Sequence, residues 1–597
     1  MKKILLILIL LTSCQKMAVD NSGWQTHFER SGGNETPRYS ETMEYFSRLA
    51  QASPYAEMLS FGVSPEGRDL GMMIISSDRA FSPEKAKDLG KPIVLIQCCI
   101  HPGESDGKDA AMMLARDILI HHKHPQLMQD LVIAIIPIFN VDGHERFGPY
   151  NRINQDGPEE MGFRVTSQRL NLNRDFVKAD APEMRDWLRM YHQWKPHLLI
   201  DCHVTDGMDH QYVIAYNIDV HPEFGGAVSA WAKNTFLPAI IPAFEKTGHY
   251  ICPYAGFIDK KIPEKGLRGG VWPPMLSNPY ATVRNRAGFL IESHSLKPYK
   301  QRVEANYELL RVIVAHLAEH PNALLDAVAR EDERASSMGC QSGEGTDFPL
   351  TFKLNESQGD SILWRGKDFV IQYGPVSGSD YIRYLPENKD IKTIYYNDVQ
   401  PDISIIPPAG YLIPPQWTEV LDVLEIHGAR LYRLTEKLAD TFEGYRFTDV
   451  KFASSPYEGR QKVSYHVEAV NEKRTFIEGS VFVPLCSPES KIIMQILEPY
   501  APDALVRWGF LNAIFERKEY FESYVMEPMA QEMMAGDSAL KTEFEKRLKD
   551  DESFAGNPRE RLMFFYKRSP YWDNEKDLYP VARVTGSIEN SYLESYR

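Results

Sequence analysis

Five apolar runs recur through the first half of the chain, at Ile93–Ile100, Leu131–Phe139, Leu198–His203, Gln211–Tyr216 and Gly288–Ser293. Between them lie stretches with helical spacing of apolar residues: Asp109–His121, Pro182–Trp194, Phe224–Phe244 and Arg302–Glu319. Strands that are apolar on both faces must be covered on both. The alternation therefore predicts an α/β fold over residues 40–322, a β-sheet flanked by helices. Pro182, with Asp180 just before it, marks one helix start, because the missing N–H costs nothing at that position.

A chain of 597 residues exceeds what one hydrophobic core usually organises, so two or three domains are expected. A polar segment, 323–347, contains Glu331-Asp332-Glu333, Ser336-Ser337 and Gly343-Glu344-Gly345 and reads as a linker. Residues 348–597 form a C-terminal α+β region of unassigned fold and role. Alternation in Lys462–Val470 and Arg474–Val483 predicts strands, and helical patterning returns at Trp508–Tyr524 and Leu540–Leu548. No cluster of chemistry-bearing residues stands out there.

The first residues have the pattern of an export signal. Lys2 and Lys3 precede the apolar run Ile4–Leu11, followed by Thr12, Ser13 and Cys14. Leu11-Thr12-Ser13-Cys14 resembles a bacterial lipoprotein box, so residues 1–13 are expected to be a signal peptide. Cys14 is the expected lipid attachment point, 14–39 a flexible tether, and the bacterial cell envelope the expected location. A plain signal peptide with an incidental cysteine is the alternative. After this segment no run reaches about 18 apolar positions, so no later helix is expected to span a membrane. The net charge of -15 argues against nucleic acid as a partner, which would require a basic face. The seven cysteines are irregularly spaced with no CxxC pair, which suggests neither a disulfide framework nor a cysteine zinc site. Cys98, Cys99 and Cys202 lie inside apolar runs and read as buried small hydrophobes.

The residues that carry chemistry stand at strand ends. Ile93–Ile100 runs into His101-Pro102-Gly103-Glu104. With 17 histidines in the chain, about one HxxE pair is expected by chance, and His316 with Glu319 supplies another within a predicted helix. His101 and Glu104 differ in lying on a turn directly after a buried strand, where open α/β sheets place their sites. Asn140-Val141-Asp142-Gly143 ends the next strand, and a long charged loop leads to Arg169-Leu170-Asn171-Leu172-Asn173-Arg174-Asp175. His203 ends a further strand, and Glu292 sits in the apolar run Gly288–Ser293.

This ordered set resembles the zinc carboxypeptidases, the M14 metallopeptidase family, over about residues 40–320. The resemblance implies a zinc-carboxypeptidase-like mixed sheet and one zinc per chain, bound by His101, Glu104 and His203. It implies that Asn173 and Arg174 grip a substrate's terminal carboxylate and that Glu292 is the general base. For the arginine that faces the oxyanion, Arg152 is the candidate. Tyr280 is the candidate for the tyrosine that closes over substrate. Two imidazoles and one carboxylate leave a fourth zinc position for water, which the metal acidifies. An arginine offers a planar charged fork to a carboxylate. Asp201 shares a strand face with His203 and is placed to orient its ring. His294 shares a face with Glu292 and reads as structural. Asp175 stands where the family commonly has asparagine and could alter how deeply a carboxylate enters. The reaction implied is release of C-terminal residues from peptides with a free C-terminus. A zinc hydrolase of cell-wall peptides or N-acyl amino acids is an alternative, as is a non-catalytic envelope binding protein.

Overall fold

The computed structural model describes residues 21–340 and 347–596; the expected signal segment and Cys14 lie outside the described residues. The chain divides into two compact units.

The first unit is built on an eight-stranded mixed sheet. Its strands are β1 (Ala56–Val63), β2 (Asp69–Ile75), β3 (Ile93–Cys98), β4 (Val132–Ile136), β5 (Leu198–Thr205), β6 (Ile214–Asn217), β7 (Ile251–Pro253) and β10 (Ala287–His294). Between β7 and β10 the short strands β8 (Gly256–Phe257) and β9 (Leu267–Arg268) belong to a separate sheet. The strand order is β1-β2-β4-β3-β5-β10-β6-β7. β3, β4, β5 and β10 run parallel, and β10 pairs antiparallel with β6. Every residue of β3, β4, β5 and β10 is buried, as the continuous apolar runs require.

Helices Asp106–Leu119 and Tyr299–Glu319 contribute to the large apolar cluster of this unit. The expected helix Phe224–Phe244 appears as Pro222–Trp231 and Leu237–Glu245, joined by a π-turn at Ala232–Phe236. Helix Pro182–Trp194 forms as predicted. It brings Trp187 and Tyr191 into an aromatic layer with Phe139, Phe176 and Tyr280. Register matters most at the centre: in the β5–β10 ladder Glu292 pairs with His203, and in the β3–β5 ladder Gln97 pairs with Asp201. Among the described residues no helix is long and apolar enough to cross a membrane.

Three expectations about organisation need correction. The tether does not extend to residue 39. Thr26 caps the short helix His27–Arg30 in a reciprocal capping box with Glu29, Phe28 is buried against Tyr299 with ring centroids 5.7 Å apart, and Glu29 pairs with Arg116. The linker 323–347 is largely the helix Pro321–Ser337, because Leu324, Ala327 and Val328 form a buried helical stripe just before the charged run. The C-terminal region does not separate cleanly at 348. The long hairpin Asp360–Gly374 with Ser379–Tyr396 extends the β8–β9 sheet of the first unit, and Trp364 and Ile391 are buried with Met208, Tyr212 and Leu267.

The second unit holds a seven-stranded sheet whose buried strands Gly410–Ile413, Val481–Pro484 and Ala582–Val584 lie in its middle. Helices Ser523–Gly536, Ser538–Asp550 and Pro558–Tyr566 share an apolar cluster of their own. The predicted strand Lys462–Val470 lies within Val463–Phe476, but the predicted strand Arg474–Val483 is broken by a turn at 477–480, after which Val481–Pro484 begins. The predicted helix Trp508–Tyr524 is not formed: Gly509, at φ 89°, ends the turn Leu505–Trp508, and the next long helix starts at Ser523. A disulfide joins Cys340 to Cys486, a pairing that the irregular spacing concealed. Cys98, Cys99 and Cys202 are free and buried, as expected.

Candidate active site

The site grows out of the end of β3. Cys99, directly after the strand, adopts a left-handed φ of 56°, a conformation that costs a non-glycine residue free energy and recurs at functional turns. The chain then turns through Pro102-Gly103 and enters helix Asp106–Leu119. Gly107 lets that helix meet β5 closely; a Cβ there would lie 2.2 Å from Cys202 Cβ. His101 and Glu104 are thereby brought beside His203.

All three side chains are buried, and their donor atoms converge. His101 Nδ1 lies 3.2 Å and His203 Nδ1 3.1 Å from Glu104 Oε2, and the two Nδ1 atoms are 3.2 Å apart. Three ligands about 2.0–2.1 Å from a tetrahedral zinc would be separated by roughly 3.3 Å, so this spacing fits that metal. The outward nitrogens are also committed: His101 Nε2 to Asn171 Oδ1 at 3.1 Å and His203 Nε2 to Asp201 Oδ2 at 2.7 Å. An imidazole that donates through Nε2 presents a lone pair at Nδ1, which is what a metal requires.

Glu292 lines the same cavity, together with Asn173, Arg174, Arg152 and Arg164, in a volume of about 440 Å³. That volume is within the range of ligand-sized pockets. Burial, opposed by His203 and reinforced by Glu104 and Asp201, pushes the Glu292 carboxyl up to about 8. Burial would also raise Glu104, but His101 and Arg152 hold it well below the usual carboxylate range. Burial depresses His101 to about 4. At His203 the Asp201 carboxylate outweighs burial and drives the ring upward.

Two arginines reach Glu104. Arg152 Nη2 lies 2.8 Å from Glu104 Oε1, with its Nε on Gln155 Oε1 at 3.2 Å. Arg164 Nη1 lies 3.4 Å from the same Oε1 and is the more exposed of the two. Arg164 lies in the charged loop that precedes Arg169, where no pattern in the sequence marks it. Asn173 Oδ1 accepts the Ser277 N–H at 3.1 Å, and Arg174 Nη1 donates to Asn173 O at 2.6 Å. Asn171, also without a role from sequence, accepts the Asn173 N–H at 3.0 Å while holding His101, tying the arginine loop to the ligand.

Tyr280 is not part of this site. It is fully buried in helix Ser277–Val283, packs among Phe176, Trp187 and Tyr191, and accepts a hydrogen bond from Arg284 at its hydroxyl. Its nearness to Glu292 in sequence carried no information about which way that helix faces. The tyrosine that lines the cavity is Tyr254, stacked on Trp272 with centroids 5.5 Å apart. His294 uses both ring nitrogens on backbone groups of Met208 and Leu296, as a structural histidine would. Asp175 is also structural: it accepts from Lys178 and from the N–H groups of Asp180 and Ala181, bracing the start of helix Pro182–Trp194.

A mixed α/β sheet that brings two histidines and a glutamate together beside a further buried carboxylate makes a site able to hold a metal ion. Residues 42–208 match the family model for zinc carboxypeptidase, so this segment is a domain of the zinc carboxypeptidase family. Relatives of the chain include Carboxypeptidase 2 of Trichophyton rubrum, 22% identical over 501 residues that cover 81% of this chain and 85% of the relative. Carboxypeptidase 2 of Trichophyton equinum is 23% identical over 510 residues, with the same coverage. Among solved structures, the carboxypeptidase A of Helicoverpa armigera matches 48% of this chain and 75% of its own at 15% identity, with a TM-score of 0.35.

Proposed function

We propose that the chain is an exported zinc-dependent carboxypeptidase that releases residues singly from the free C-terminus of peptides. The observation that carries this reading is the meeting, in one cavity, of the three converging donor atoms, Glu292 in register with His203, and the Asn173-Arg174 pair. His101, Glu104 and His203 would hold one zinc, which when bound polarises a carbonyl and acidifies water.

Glu292 then takes a proton from the attacking water on its carboxylate and returns it to the departing amine. Zinc's positive charge would draw the Glu292 carboxyl down from its raised value, leaving it ionised and able to act as a base. Arg174, with Asn173 beside it, receives the terminal carboxylate through its planar fork. Arg164, less enclosed than Arg152 and close to Glu104, is the stronger candidate for facing the developing oxyanion. Arg152, packed against the ligand carboxylate, positions Glu104. Tyr254 takes the place of Tyr280 as the tyrosine at the mouth of the cavity.

Export to a bacterial envelope, with a lipid on Cys14, follows from Lys2-Lys3, the apolar run and the cysteine. The Cys340–Cys486 disulfide supports it, since such bonds persist in oxidising compartments. The test is zinc content of the purified mature protein beside a His203→Ala variant, followed by release of the last residue from a peptide. About one zinc per chain, lost in the variant together with release, is the expected result. No zinc in the wild type, and none taken up on addition, would overturn the reading.

A further inference from the structure

A second, smaller cavity opens beside the catalytic one. It measures about 230 Å³, below the roughly 300–1,000 Å³ of a pocket for a whole small molecule and therefore sized for a single side chain. The two cavities share Thr205, Asp206, Tyr254 and Trp272, but the smaller one contains neither Asn173 nor Arg174. Its walls are mainly apolar and aromatic, with Thr205, Asp206, His210 and Lys260 as the polar members. Phe257 stands edge-on to Trp364 at 5.3 Å, Tyr254 stacks on Trp272, and Met208 is buried alongside.

Trp364 comes from the long hairpin, well outside residues 42–208. It is 4% exposed, and its indole N–H has no hydrogen-bond partner among the described residues, although a buried indole N–H usually finds one.

We infer that this cavity is a subsite for an aromatic or large aliphatic side chain of the peptide upstream of the scissile bond. The hairpin, through Trp364, is then a determinant of substrate choice. The inference rests on the carboxypeptidase reading. If the terminal carboxylate lies at Arg174 and the scissile carbonyl at the three ligands, the retained chain must leave on the side away from Arg174. The segment from His203 through Thr205 and Asp206 to Met208 leads from the ligands into the smaller cavity. A large apolar side chain there would exchange water for aromatic faces.

The experiment compares kcat/KM for N-acetylated peptides with one fixed C-terminal residue, varying each of the two upstream residues from glycine to alanine, leucine and phenylalanine. A second series holds those residues fixed and varies the terminal one. The wild type should prefer phenylalanine or leucine over glycine upstream by about tenfold or more, the size of a well-filled apolar pocket. Trp364→Ala should compress that ratio to about twofold and leave the ratios in the terminal series in place. Because Trp364 is buried, Phe257→Leu is measured as well, and circular dichroism identifies any variant that fails to fold. A flat upstream profile in the wild type would overturn the inference. So would folded variants that lose activity equally on all upstream residues, or a change confined to the terminal series. Absence of any terminal-residue release from either series by zinc-loaded wild type would instead overturn the carboxypeptidase reading, a result distinct from a flat profile.

Discussion

Asp201 and His203 stand two residues apart on one face of β5, and the Asp201 carboxylate takes His203 Nε2 at 2.7 Å. The same carboxylate accepts the Gln97 side-chain amide at 3.0 Å, so the ring that offers Nδ1 to a metal is fixed from behind by a group that is itself fixed. Partners of this kind are worth about 10–100-fold in metal affinity. Asp201→Asn should weaken zinc binding by that range, read by competition with a chromophoric chelator. An unchanged affinity would mean the ring is held by packing alone.

Glu292→Gln should retain zinc while kcat falls by about 10²–10⁴, the usual contribution of a positioned base. Metal analysis and steady-state kinetics on the same preparation separate the two effects. Turnover close to wild type would remove Glu292 as the proton acceptor.

Arg174→Ala removes a charge-assisted fork worth about 1.5–3 kcal/mol. The expected loss in kcat/KM is roughly 10–100-fold on peptides with a free C-terminus and much less on their amidated counterparts. Equal losses on both would rule out a carboxylate clamp.

The two arginines on Glu104 should behave differently. Arg164→Ala should lower kcat by about 10²–10³ with zinc content intact, as when an oxyanion donor is lost. Arg152→Ala should act first on zinc retention, because its guanidinium lies 2.8 Å from a ligand carboxylate. A kcat defect in Arg152→Ala with metal affinity untouched would reverse the assignment.

Glu183 offers a test of stability rather than catalysis. It is buried near Asp142, Asp175 and Asp186, and beyond its own N–H neither carboxyl oxygen has a partner among the described residues. Burial raises its carboxyl to about 7. In the unfolded chain it ionises near pH 4.3, so between about pH 4 and 7 only the unfolded state has released the proton, and stability falls as pH rises. The deficit is complete above pH 7. Glu183→Gln should therefore match the wild type near pH 4 and exceed it at pH 8, by up to about 3 kcal/mol. Urea unfolding at the two values measures this.

The ligands were legible in the sequence because chemistry at a strand end leaves a mark: His101, Glu104, His203 and Glu292 each interrupt or end an apolar run. Where geometry depends on a helix's rotation or on distant pairing, the mark disappears. Tyr280 and Tyr254 both precede Glu292, and only the packing of Ser277–Val283 turns the first inward. β1 and β2 went unread because β1 alternates imperfectly, with only Ala56 fully buried. The hairpin escaped because most of Ser379–Tyr396 is exposed and carries Glu387, Asn388, Lys389 and Asp390, so its strands read as polar chain. Cys340 and Cys486 are separated by 146 residues, a pairing that no local pattern could announce.

The early docking of Thr26, Phe28 and Glu29 has a consequence for reach. If Cys14 carries a lipid, only nine residues lie between it and Trp24, and a fully extended chain over those ten steps covers about 35 Å at most. On the proposed lipid tether the enzyme would be a short-leashed grazer, confined to a thin layer above the bilayer. Which chain ends it trims would depend on how close to the lipid surface they pass as much as on how well they fit.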